Sequence, residues 1–165
     1  MTDQHTKDHL ISRLPRLIGS GVDYNDAINV INNMKEVSDW SKGWEETGRQ
    51  HENRAEIALK SGNVETAGEA YFRAAISFHT GQAGNVENPS EKLRVQTLQR
   101  EAYLKAMPYL QPPSERISIT FEDIEFPGNL RLPLNFNSNP LPCVLLHAGA
   151  DSTKEEFFTL ENEYL

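Results

Sequence analysis

The chain has 165 residues, 38% of them hydrophobic and 24% charged, with a formal net charge of -8; it is too apolar for a disordered chain and long enough for one ordinary domain, or for one small domain and a piece of another. The acidic balance excludes a general nucleic-acid surface, which needs clustered Lys and Arg to displace counterions from phosphate. No apolar run is long enough to cross a bilayer, the polar start Met1 to His9 has no signal-like stretch, and a single cysteine, Cys143, excludes an internal disulfide, so a cytoplasmic protein with no membrane partner is expected.

The pattern is helical from Leu10 to Leu110. Leu10, Leu14, Leu17 and Ile18 form an apolar face, but Pro15 breaks or kinks whatever helix forms there. Asp23 is an N-cap for a helix from Tyr24 to about Met34, with Ala27, Val30, Ile31 and Met34 on one side. A longer helix starts near Ser38 or Asp39 and carries Trp40, Trp44, His51, Ala55 and Ala58 at helical spacing until Gly62 stops it. The next presents Ala67, Ala70, Tyr71, Ala74 and Phe78, so small residues meet large ones across an antiparallel hairpin. Gly81 to Pro89 reads as a loop, and a last helix runs from Ser90 to Met107. One such helix pair is too little for a tetratricopeptide array, whose repeats bury their faces only in stacks of about three.

Gln111-Pro112-Pro113 marks a change to strand-forming sequence, which predicts a helical domain over 1–112 and a second unit over 113–165. Ile117, Ile119 and Phe121 alternate with polar residues, as do Leu130, Leu132 and Leu134, and Pro127-Gly128-Asn129 suits the turn between them. Cys143 to Leu146 is an unbroken apolar run, expected to be a central strand with Cys143 as a small buried residue. His147-Ala148-Gly149-Ala150-Asp151 then turns sharply. Ser152 and Glu155 have the spacing of a capping box, with Phe157, Leu160 and Tyr164 as the buried stripe of the helix that follows. Unpaired N–H groups and the helix dipole at such a junction favour a phosphate or an oxyanion. The nearby Glu155, Glu156, Glu161 and Glu163 read as charge at a helix start and as a solvated face.

The stretch from Phe126-Pro127-Gly128-Asn129-Leu130-Arg131-Leu132-Pro133 to Asp151-Ser152-Thr153-Lys154-Glu155-Glu156 resembles the start of the core in the α/β-hydrolase group of FrsA-like esterases and 2,6-dihydroxypseudooxynicotine hydrolases. Gly21-Val22-Asp23-Tyr24, the Trp40 and Trp44 pair, and Gly62-Asn63 with its Ala-rich helix are similar to the helical domain that covers the active site in that group. The resemblance implies an α/β hydrolase, represented by its amino-terminal α-helical domain and the first strands and helix of its core. It implies hydrolysis of an ester, or of a carbon–carbon bond next to a ketone, by a serine acyl-enzyme route. Backbone N–H groups of Gly149 and Ala150 match the oxyanion donors, although Ala148 stands where these enzymes often have a second glycine. His147 matches the His of an esterase His-Gly motif and is read as shaping the loop. Trp40, Trp44, Tyr71 and Phe78 would line the substrate cavity.

No Gly-x-Ser-x-Gly elbow occurs in the 165 residues, so the chain is expected to end before its triad and to be inactive alone. The five histidines show no metal spacing and no cofactor is implied. The expected partner is a small-molecule substrate of the intact enzyme, and a homodimer is an admissible assembly. The alternative from another class is a non-catalytic helical module that binds a protein partner.

Overall fold

The computed structural model describes residues 4–85, 87–134, 140–149 and 152–161, with residues 160 and 161 described by backbone alone. Six helices come first: α1 (Gln4–Ser12), α2 (Leu14–Gly19), α3 (Tyr24–Asn33), α4 (Asp39–Lys60), α5 (Val64–Gln82) and α6 (Pro89–Ala106). A single 3-10 turn, Met107–Tyr109, leads to the hairpin strands β1 (Ser114–Phe121) and β2 (Ile124–Arg131), and a short helix α7 (Phe158–Glu161) follows. Pro15 lies in the first turn of α2, where a missing N–H costs nothing, and it separates α2 from α1.

Several helix boundaries have a local cause. The Asp23 carboxylate accepts hydrogen bonds from the Asn25 and Asp26 N–H groups at the start of α3. Gly62 adopts φ +77° after α4. The Gly62 N–H donates to Leu59 O and the Asn63 N–H to Ala58 O, the paired bonds of a Schellman stop. Gly81, by contrast, does not end α5: it lies against Trp44, where a Cβ would approach the Trp44 Cβ to 2.9 Å, and the helix continues to Gln82. The last long helix starts at Pro89 with Asn88 capping the Glu91 N–H.

The core lies where α5 is sandwiched between α4 and α6. Phe78 and Trp44 are almost wholly buried, each contributing on the order of 2–3 kcal/mol by removal from water. The close approach of α4 to α5 depends on Gly48, where a Cβ would come within 2.5 Å of the Phe78 ring. Several buried polar groups are paired across helices: His51 Nε2 meets Asp26 Oδ2 at 2.6 Å, joining α4 to α3, and Trp40 Nε1 donates to Thr80 O at 2.9 Å. Arg73 joins Asp23 at 3.0 Å.

The strand-forming half departs from expectation. β1 and β2 form an antiparallel hairpin in which Phe121 pairs with Ile124, so the turn is Glu122-Asp123. Both turn residues have positive φ, 47° and 63°, as a two-residue turn matched to the strand twist requires. Pro127-Gly128-Asn129 lies inside β2, and Leu132 and Leu134 lie beyond it. Counting outward from the closing pair, Ser118 and Pro127 occupy a site without ladder hydrogen bonds, so the missing proline N–H removes none. Residues 143–146 form no strand: Val144 is 61% and Leu145 86% exposed, and Cys143 is exposed too. A strand covered on both faces needs neighbours to supply its hydrogen bonds, and the described residues offer no unpaired strand beside this run.

Substituting Gly48→Ala is expected to destabilise the chain by about 1–3 kcal/mol, read as a lower urea midpoint, because ring displacement outweighs the gain in helix propensity. Adding Phe78→Leu should recover part of that loss, since the same contact is relieved.

Candidate functional site

Residues 152–161 return to the helical layer and dock on it. Phe158 packs against Phe72 of α5 with ring centroids 4.8 Å apart, and the Arg131 guanidinium of β2 lies 4.3 Å over the same ring. The expected stripe of Phe157, Leu160 and Tyr164 is therefore replaced at its first position by Phe158, while the Leu160 side chain and Tyr164 lie outside the described residues.

Of the four acidic residues read as helix-start charge and a solvated face, Glu155 and Glu156 are buried, while the Glu161 side chain and Glu163 lie outside the described residues. Glu155 faces Lys154 at 2.8 Å and Arg116 at 3.8 Å. Glu156 Oε2 meets His79 Nε2 at 2.9 Å. Burial would raise the Glu156 carboxyl, but hydrogen bonds from His79, Ser152 and the Thr153 backbone outweigh it and hold the group below its ordinary 4.5. The Ser152–Glu155 capping box is therefore not formed: the Ser152 N–H bonds Gly149 O, the Ser152 side chain and the Thr153 N–H donate to Glu156, and regular helix begins only at Phe158.

A chain of hydrogen bonds fixes the histidine. Gln82 Nε2 lies 2.8 Å from His79 Nδ1; because an amide nitrogen only donates, Nδ1 accepts and the ring proton of Nε2 points at Glu156. Gln82 also donates to Gln99 Oε1 at 3.3 Å, and Gln99 Nε2 donates to Thr153 Oγ1 at 2.6 Å. Side chains from α5 and α6 therefore hold the residues that immediately follow the 147–151 loop.

This network floors a cleft of about 520 Å³ between the helical layer and residues 152–156. Leu10, Arg13, Arg16 and Leu17 of the first two helices form one wall, Met34, Val37 and Trp40 another, and Ser152, Thr153 and Glu156 close the far side. Its size is that of a small-molecule site.

Of the aromatic residues expected in a substrate cavity, only Trp40 lines the cleft. Trp44 and Phe78 are enclosed between α4 and α5, and Tyr71 is buried with Lys105 Nζ 5.4 Å from its ring centroid. Gly149 is exposed, its carbonyl accepting the Ser152 N–H at 3.3 Å, and a Cβ added to it would meet nothing within 4 Å. Ala150 lies outside the described residues, and His147 is exposed beside the loop. Sequence reasoning missed His79, Gln82 and Glu156; the available signal was the His79/Gln82 spacing of one helical turn on the otherwise apolar face of α5. Among the described residues no group of His, Cys, Asp or Glu could hold a metal ion, and no helix is long and apolar enough to cross a membrane.

The Glu156 contribution to stability follows from its lowered proton affinity in the fold: it is full above about pH 5 and is lost as pH falls below 4.5. Urea midpoints measured from pH 6 to pH 3, a range of roughly this window, should fall less steeply for Glu156→Gln than for the parent. Parallel profiles would show that the carboxylate is not held by this network.

Comparison with known proteins places these features in a family. Residues 21–165 match the family model described as esterase FrsA-like. A 2,6-dihydropseudooxynicotine hydrolase of Paenarthrobacter nicotinovorans is 33% identical over 147 residues, 89% of this chain and 39% of that protein. The esterase FrsA of Vibrio cholerae is 27% identical over 126 residues, 76% of this chain and 29% of its own length. The crystal structure of the 2,6-dihydroxy-pseudo-oxynicotine hydrolase superposes with a TM-score of 0.77 at 33% identity, covering 89% of this chain and 40% of that one. The chain thus spans about two fifths of the length of this hydrolase and less than a third of the esterase. It belongs to the FrsA-like esterase family of α/β hydrolases.

Proposed function

We propose that this chain supplies the oxyanion loop and the covering helical domain of a cytoplasmic serine-dependent α/β hydrolase, which cleaves an ester or a carbon–carbon bond next to a ketone in a small molecule without a cofactor. In this reading residues 1–112 cover the site and residues 113–165 begin the core. The observation that carries it is the docking of Ser152 to Phe158 on α5 and α6, which anchors the downstream end of the Gly149 loop. In the intact enzyme a serine oxygen attacks the substrate carbonyl, and the N–H of Gly149 or Ala150 stabilises the oxygen that becomes negative. One such donor is worth roughly 3 kcal/mol in the transition state, provided that it is held in place beforehand.

A helical module that binds a protein partner accounts less well for the hairpin. Ile119 and Phe121 pair across the strands with Phe126 and Ile124, and all four are more than half exposed on one sheet face. An apolar face of this kind calls for a covering layer, as the first strands of a hydrolase core do.

The test begins with the reading frame beyond Leu165. A Gly-x-Ser-x-Gly elbow followed by Asp or Glu and then His is expected, and the reading fails if none is encoded. In the protein so defined, Gly149→Pro or Ala150→Pro, whichever removes the donor N–H, should lower kcat for a p-nitrophenyl ester about 10²–10³-fold with little change in KM. Full activity in both variants would exclude the loop as the oxyanion site.

A further inference from the structure

The cleft has a charge pattern that the proposed chemistry does not use. Arg13 and Arg16 from the helical start and Lys92 from α6 all line it, and among the described residues none of the three pairs with a carboxylate. Elsewhere several cations are engaged, Arg49 and Lys105 with Glu52, Arg73 with Asp23 and Glu69, Arg94 with Glu45 and Glu91, whereas Lys35, Lys42, Arg54, Lys60 and Arg100, also without an ion pair among the described residues, line no part of this cleft. Three unpaired cations around one concavity stand out in a chain whose net charge is -8. The carboxylate in the lining, Glu156, is already taken up by His79, Ser152 and the Thr153 backbone. Between the charges the wall is apolar, formed by Leu10, Leu17, Met34, Val37, Trp40 and Ile76.

We propose that this cleft binds a small amphiphilic carboxylate, with the anion among Arg13, Arg16 and Lys92 and its apolar body against Leu17, Met34 and Trp40. The charges recognise the anion, with Arg able to present a planar fork to both carboxylate oxygens. The apolar wall selects a ligand with a hydrocarbon or aromatic body over a bare inorganic anion, because only the former removes apolar surface from water. A cleft of about 520 Å³ holds a body of this kind. The site is on this chain alone and does not depend on the hydrolase reading.

Titration calorimetry of the 165-residue chain with octanoate, octanol and inorganic phosphate tests the proposal. Octanoate should bind saturably at one per chain, and more weakly as ionic strength rises from about 0.01 to 0.15 M. Arg13→Gln, Arg16→Gln and Lys92→Gln should each weaken octanoate roughly threefold, and the triple variant roughly tenfold or more, with little effect on octanol. All three positions are exposed and glutamine is a good helix former, so the fold should survive; circular dichroism melts verify this, and the single variants carry the test if the triple does not fold. Octanol binding as tightly as octanoate would reduce the cleft to an apolar groove. Phosphate binding as tightly would reduce it to an anion site, and absence of saturable octanoate binding would remove it; each result overturns the proposal.

Discussion

The pairing of Glu156 with His79 at 2.9 Å determines where the carboxyl-terminal segment of this chain sits. A carboxylate and an imidazole that are both nearly out of contact with water are tolerated only if each hydrogen-bonding atom finds a partner. Gln82 supplies the partner on the far side of the ring, and Gln99 extends the contacts to Thr153. Because these groups come from α5, α6 and residues 152–156, any other position of the segment would leave several buried polar atoms unpaired. The aromatic contact of Phe158 with Phe72 adds an apolar clamp two residues beyond Glu156.

That arrangement in turn depends on the rigidity of α5. Its position is set by glycine contacts, Gly48 against Phe78 and Gly81 against Trp44, which bring α4 within a distance that a methyl group would prevent. The Trp40 N–H bond to Thr80 O fixes the same end of the helix, one residue from His79. Core packing and site geometry are therefore the same set of contacts seen from two sides: α5 buries Phe78 toward α4 and directs His79 and Gln82 toward the docked segment and the cleft.

The helical half was legible because its signals are local. Asp23 caps α3 through its own neighbours, and Gly62 ends α4 because the left-handed conformation there favours glycine. The strand-forming half was less so. Glu122 and Asp123 turn with positive φ without the Asn-Gly or Asp-Gly signature, while Pro127-Gly128, which has a turn composition, is accommodated in a ribbon that is two-stranded among the described residues. The run 143–146 has the composition of a central strand, but strand formation is decided by neighbours, which no local pattern contains. Burial of Glu155 and Glu156 was hidden for the same reason, since their partners Arg116 and His79 lie 39 and 77 positions earlier in the sequence.

The central claim is that residues 152–158 are part of the same ordered body as α5, so that the loop before them is held ready. Backbone ¹⁵N order parameters measure this directly. The account predicts values near 0.85 for residues 152–158, about equal to those of α5. Values below about 0.6 in that segment alongside a rigid α5 would contradict it.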